Sequence, residues 1–302
     1  MRILPILFLG VSLGAMAQTD AYIKIHDSHK RHPRAVAIEF PGNTEFPADY
    51  DAIYGHGAVL ENPWLAIRVY MDSRQSIDLY LKHNPGLELD RTGFYSTKEM
   101  VDNGDGCDVL WAGKSVAMGS FRGFKNGEPV IIDSVAVRGQ RVIDDHTVMV
   151  YDKDWIYNEH PIQMTQTYTA DPAKREINVE IKLDGYKPGD LFATGVQKIE
   201  KDNVGFILDK GVAASWGNNI PDKNHPEWIE TVGLGIKVNP ENIVSAKEDD
   251  LNYLFILRPD RDGKISYTIT ASGLREKEGF KTSASWFDYC LLYTSPSPRD
   301  TR

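Results

Sequence analysis

Cysteine is almost missing from this chain. Its 302 residues hold two, Cys107 and Cys290. The second falls in a C-terminal stretch of foreign composition, so no intrachain disulfide is expected. Long apolar runs are missing too. Beyond the first 20 residues nothing approaches the roughly 20 apolar residues that a membrane helix needs. There is no Gly-x-Ser-x-Gly elbow, phosphate loop or dinucleotide fingerprint, so no nucleotide or other cofactor is expected. Basic charge is in the minority: 34 Lys and Arg face 43 Asp and Glu, a net charge of −9. That balance argues against nucleic acid as a partner. It leaves room for an acidic sugar, because a local basic pocket can sit on an acidic surface. The pattern does not settle the oligomeric state.

The two ends differ from the middle. "MRILPILFLGVSLGAMAQ" has a basic Arg2, an apolar run from Ile3 to Leu13 and small residues ending at Ala17. This is the pattern of a secretory signal peptide cut after Ala17, which predicts a periplasmic or extracellular protein beginning near Gln18. No cysteine follows the apolar run, so no lipid anchor is expected. At the other end, "CLLYTSPSPRDTR" (residues 290–302) resembles the translation of a sequencing adapter. The native chain is therefore expected to break off near Tyr289. The expected organisation is a leader (1–17), an N-terminal segment (18–50), one sandwich domain (51–289) and a non-native tail (290–302).

The middle is dominated by period-two alternation, the mark of strands with one buried face. "LAIRVYMD" puts Leu65, Ile67, Val69 and Met71 on one face and Ala66, Arg68, Tyr70 and Asp72 on the other. "SIDLYLKH" opposes Ile77, Leu79 and Leu81 to Asp78, Tyr80 and Lys82, with "MDSRQS" as the turn between. Further strand candidates are "PVIIDSVAV", "HTVMVYD", "IQMTQTYTA", "EINVEIKL", "DNVGFILD", "TVGLGIKV", "NYLFILRP" and "KISYTITAS". Turn chemistry such as "DGYKPGD", "NPEN" and "PDRDGK" separates many of them. Helix signals are limited to "STKEMVD", with its Ser/Thr cap, and "SASWFDY". A dozen or more strands in one domain predicts an all-β fold, a large antiparallel β-sandwich with few short helices.

Three constellations invite a chemical reading. Arg68, Tyr70, Tyr80 and Lys82 could share one polar face across the hairpin, with His56 and Asn62 leading in. The bland alternative is a solvated face of cross-strand charge pairs. Lys198 in "FATGVQKIE" and Trp216 with Asn218 in "SWGNNI" suggest a sugar-stacking platform, the alternative being a core Trp beside an Asn-rich turn. Gln166 with Tyr168 in "QMTQTY" is the third, and an ordinary edge strand explains it as well. "HDSHKRHP" spaces histidines by three but sits beside Pro33. "DNGDGCD" and "PDRDGK" lack the ligand pattern of a calcium loop. No metal site is expected.

Together, "YGHGAVLENPWLAIRVYMD", "IDLYLKHNPGLEL", "NGDGCDVL", "FATGVQKIE" and "SWGNNI" resemble an exported bacterial family, domain-of-unknown-function family 4861, from about Asp51 to Tyr289. The resemblance implies a galactose-mutarotase-like supersandwich and a role in polysaccharide utilisation. It also implies a dehydratase that removes water across C4–C5 of a terminal uronic acid in ulvan-type oligosaccharides. Such an elimination needs a cation or donor on the C6 carboxylate, a base for the C5 proton and an acid for the C4 oxygen. Arg68 suits the first role through bidentate carboxylate recognition. His56, Tyr70, Lys82 and Lys198 are candidate bases or acids. Asn62, Tyr80, Gln166, Trp216 and Asn218 are candidate substrate-binding residues. Two other functions fit the same residues: a sugar epimerase or mutarotase using His56 and Glu61, and a glycan-binding protein without catalysis.

Overall fold

A computed structural model describes residues 19–26, 32–42, 53–72, 74–111 and 113–292. The leader expected at 1–17 and the tail from 293 onward lie outside them. Within them the chain is a large antiparallel β-sandwich with three short α-helices. A nine-stranded sheet runs, edge to edge, through Lys201–Leu208, Val212–Asn219, Glu230–Val238, Lys264–Gly273, Glu176–Asp184, His160–Ala170, Thr147–Tyr157, Val137–Asp144 and Ala37–Pro41. A six-stranded sheet orders Arg34–Ala35, Asp20–Ile25, Ile53–Glu61, Leu65–Tyr70, Ile77–Leu81 and Cys107–Asp108. A five-stranded sheet orders Ile243–Glu248, Asn252–Leu257, Phe192–Gln197, Arg122–Lys125 and Glu128–Val130. Residues before Asp51 therefore belong to the sheets: Asp20–Ile25 pairs with Ile53–Glu61, and Ala37–Pro41 with Val137–Asp144.

Alternation builds the core. In Lys264–Gly273 the side chains of Ile265, Tyr267, Ile269 and Ala271 are buried, whereas Ser266, Thr268 and Thr270 face outward. Leu60, Ile67 and Leu79 from the six-stranded sheet, Ile181 and Leu234 from the nine-stranded one, and Phe192 and Phe255 from the five-stranded one meet in a single apolar cluster. Each fully buried aliphatic side chain contributes about 1.5–3 kcal/mol relative to exposure. The layers are thus held as one body.

The two predicted helices are present. Lys98–Asp102 starts at Thr97, whose side chain accepts a hydrogen bond from the Met100 amide. Ser283–Leu292 packs Trp286 and Cys290 onto the strands that carry Trp216 and Gly233. Gly233 is needed there, because a Cβ would lie 2.8–2.9 Å from the rings of Trp216 and Trp286. "PVIIDSVAV" differs from its prediction. Only Glu128–Val130 and the strand from Val137 pair. The intervening Ile132 instead bonds to the side chain of Gln75, its amide donating 2.6 Å to Oε1.

Candidate active site

One face of the six-stranded sheet is apolar and joins the core. The other carries the site. Register sets Arg68 opposite Asp78, and Tyr80 opposite both Ala66 and Asp108. Arg68, Tyr70, Asp78 and Asp108 therefore rise from the same side of the sheet. They line a cavity of about 700 Å³. Tyr95 and Ser96, Trp111, and the 221–228 loop with His225 and Trp228 supply its other walls. A volume of that size suits a small oligosaccharide.

His56 enters from the lead-in strand. Gly55 and His56 both take left-handed backbone, with φ of 78° and 74°. This conformation is rare for a residue with a side chain and marks a position fixed by its surroundings. The ring stacks on Tyr70 with centroids 4.9 Å apart. Arg74 Nη2 lies 3.2 Å from His56 Nδ1. Arginine only donates, so Nδ1 accepts and the neutral ring carries its proton on Nε2. Burial, then Arg68 and Arg74, push the His56 pKa down to about 4. Arg74 is itself held by Asp72, its Nε donating 2.9 Å to Oδ2. The carbonyls of its turn are gripped from below by buried Arg122, through Arg74 O at 2.9 Å and Gln75 O at 2.6 Å.

The lowered His56 pKa has a sign. An unfolded histidine protonates near pH 6.5 and the folded one near pH 4. As pH falls through this window the unfolded state binds the proton first, so stability is lost as pH drops from about 6.5 to about 4. Asparagine tolerates left-handed backbone. His56→Asn is therefore expected to remove that part of the acid destabilisation. Urea melts of both proteins from pH 7 to 4 check this, and parallel curves would refute it.

Arg68 is the centre of charge. It is 1% exposed and sits against the rings of Phe94 at 4.1 Å, Tyr95 at 4.7 Å and Tyr70 at 5.2 Å. Its Nη2 donates to Asp78 Oδ2, to Asp108 Oδ2 at 3.3 Å and to the Tyr70 hydroxyl at 3.1 Å. Its Nε and Nη1 have no hydrogen-bond partner among the described residues. Tyr70 donates to Asp78 Oδ2 at 2.8 Å. Burial and Asp78, working against Arg68, hold the Asp108 carboxyl well above the usual carboxylate range. Burial likewise raises the Tyr70 phenol.

Of the candidate residues, the cavity brings together His56, Arg68 and Tyr70. The others lie elsewhere. Lys82 is buried against Glu61 at 2.6 Å. Asn62 shapes its own turn, accepting from the Trp64 and Leu65 amides and donating to the Lys174 carbonyl. Tyr80 packs on Phe94 and bonds Thr92 and Ser96. Gln166 accepts from Tyr168 inside the sandwich. Trp216 is covered by the C-terminal helix. Asn218 joins Asp202 and Thr231 across the outer sheet. Lys198 pairs with Glu248 at 2.7 Å, and that bond raises its pKa, the opposite of a poised base. Glu61 is also outside the cavity, so it is not placed to act with His56.

Sequence reasoning passed over Arg74, Asp78, Asp108, Tyr95, Trp111 and His225. Asp78 was visible in the alternation, on the same face as Tyr80. Asp108 stood in a quoted motif, "NGDGCDVL". Trp111 had no local signal, since the contact that orients it, Nε1 to the Ile220 carbonyl at 2.7 Å, spans more than a hundred residues. Among the described residues one trio of possible metal ligands, Asp144, Asp145 and His146, occupies an exposed turn outside the cavity. No helix among them is long and apolar enough to cross a membrane.

No curated protein matches the sequence. Among solved structures, a candidate kojibiose phosphorylase from the human microbiome aligns with 80% of this chain at 11% identity and a TM-score of 0.45. The match covers 33% of that protein, so this chain spans about a third of its length. A candidate aldose 1-epimerase from Klebsiella pneumoniae subsp. pneumoniae aligns with 92% of this chain and 96% of its own at 7% identity and a TM-score of 0.39. Likenesses this distant say nothing about activity. The family model described as a domain of unknown function, DUF4861, matches residues 12–294, and the chain belongs to that family.

Proposed function

We propose that the cavity binds the terminal uronic acid of an acidic oligosaccharide and eliminates water across C4–C5. One observation carries the reading: Arg68, whose Nε and Nη1 have no hydrogen-bond partner among the described residues, lines a cavity that also holds a neutral imidazole and a carboxyl pair. A guanidinium with free N–H groups suits the C6 carboxylate, and its charge stabilises the enediolate that develops when C5 loses its proton. Arg74 and the Nε2–H of His56 add donors at the same wall. Asp108, its carboxyl held well above the usual carboxylate range by burial and Asp78, suits the acid that protonates the leaving oxygen. Trp111, 48% exposed, offers a ring face for the neighbouring sugar. An exported enzyme, as the leader suggests, would meet such fragments outside the cytoplasm.

The test is direct. Oligosaccharides carrying glucuronate, iduronate or galacturonate at the non-reducing end are incubated with the protein. The conjugated C4–C5 double bond is then followed by ultraviolet absorbance. A rise with at least one of them is expected. No absorbance with any member overturns the reading, and binding without product would assign a glycan-binding role instead.

A further inference from the structure

Two carboxylates, one buried and one partly exposed, share one arginine nitrogen. Asp78 and Asp108 both accept from Arg68 Nη2, and Tyr70 bonds that nitrogen and Asp78 together. The other groups facing the pair are the phenol of Tyr95, the thiol of Cys107 and the imidazole of His56. None of these supplies a second positive charge. Two ionised carboxylates on one guanidinium would leave an uncompensated buried anion. Such pairs retain a proton instead. Asp108 is the partner with cavity access, its side chain being 26% exposed against 5% for Asp78.

We infer that Asp78 and Asp108 hold one proton between them, and that elimination moves it from one carboxyl to the other on a single face of the sugar. This rests on the uronate reading above and deepens it. The C5–H bond breaks and its proton passes to the Tyr70 oxygen, while the Tyr70 hydroxyl proton passes to the Asp78 carboxylate. The electron pair forms the C4–C5 double bond. The C4–O bond breaks, and its oxygen takes the Asp108 proton and leaves as water. The pair ends as it began, with one proton, now on Asp78. Direct transfer between the two hydrogen-bonded carboxyls resets it, and no oxidant or reductant is required.

The geometry also selects a substrate class. Tyr70, Asp78 and Asp108 rise from one side of one sheet, so the C5 hydrogen and the C4 oxygen must leave from the same face of the ring. These two groups are cis in glucuronate and mannuronate. They are trans in galacturonate and iduronate. The site should therefore act on gluco- or manno-configured ends.

Two measurements test this. Infrared spectra of the substrate-free protein at pH 7, labelled with 13C-aspartate, should show a protonated carboxyl band that shifts in D2O. That band should vanish in Asp108→Asn, with the variant still folded by circular dichroism and its kcat lowered roughly 100-fold or more. Across the oligosaccharide panel, with a mannuronate-ended member added, product should form from glucuronate or mannuronate ends and not from galacturonate or iduronate ends. Absence of the band overturns the shared proton. Efficient turnover of galacturonate or iduronate ends overturns the one-face transfer. The second result leaves the uronate reading standing, because product has formed, and after the first that reading is decided by the panel alone. No product from any end overturns that reading and this inference together.

Discussion

Replacing Arg68 with methionine is expected to cost about 3–5 kcal/mol of stability at pH 7, the range for breaking a buried charge pair by removing one partner. Methionine fills much of the same volume between Phe94, Tyr95 and Tyr70, so the packing loss is minor. The larger loss is electrostatic. Asp78 and Asp108 would lose their one ion-pair partner among the described residues. The sign with pH follows. Without Arg68, the cation that opposes the upward shift of Asp108, that carboxyl rises further above its unfolded value near 3.9. The folded state then holds protons that the unfolded state has released, so the variant gains stability as pH falls from 7 towards about 4. Urea melts of both proteins at pH 7 and 4.5 check this. The gap should narrow at the lower pH. A gap independent of pH would place the loss in packing rather than charge. Arg68→Lys should recover little, because an ammonium lacks the planar group that lies against three aromatic rings while its end reaches the carboxylates.

How much of this was legible depended on distance along the chain. The alternation of "LAIRVYMD" and "SIDLYLKH" separated core from polar face correctly, and the antiparallel register then dictated that Arg68 meets Asp78. The same alternation could not tell a cavity wall from a covered wall. Tyr80 and Lys82 share the face of Arg68. However, the chain folds Leu89 and Phe94 back over them, where they join Tyr22, Val59 and Ala66 in a small apolar cluster. Trp216 was misplaced for a similar reason: the helix Ser283–Leu292 closes over it from the far end of the sequence. Trp111, His225 and Trp228 complete the cavity from loops with no periodic signal. Arg74 was hidden because a turn residue has no face to assign until its carbonyl partners are known. Local pattern reads which side of a strand a residue occupies. What covers that side is a tertiary fact.

Lys82 makes the clearest case, and the second large effect is expected there. It is 1% exposed, paired with Glu61 at 2.6 Å, and donates to the carbonyls of Asn62 and Gly86. Burial lowers its pKa, as a catalytic base would require, although Glu61 opposes the shift. It has no place in the cavity lining, so the shift reflects burial alone. Glu61 in turn accepts from the amides of Glu88 at 2.7 Å and Leu89 at 3.3 Å, tying the 88–92 turn to the sheet. Lys82→Met is expected to cost about 3–5 kcal/mol, because Glu61 is left buried without its cation. Removing the charge as well, in Lys82→Met with Glu61→Gln, should recover most of it, since the glutamine carbonyl still accepts from the two amides and no buried charge remains. A catalytic lysine predicts something different: kcat would collapse in both variants and would not return with stability. Melting curves together with turnover per folded molecule separate the two. Turnover in the double variant within a few-fold of the parent would fix Lys82 as the post that holds up the cavity's roof, with the proton transfers left to the cluster around Arg68.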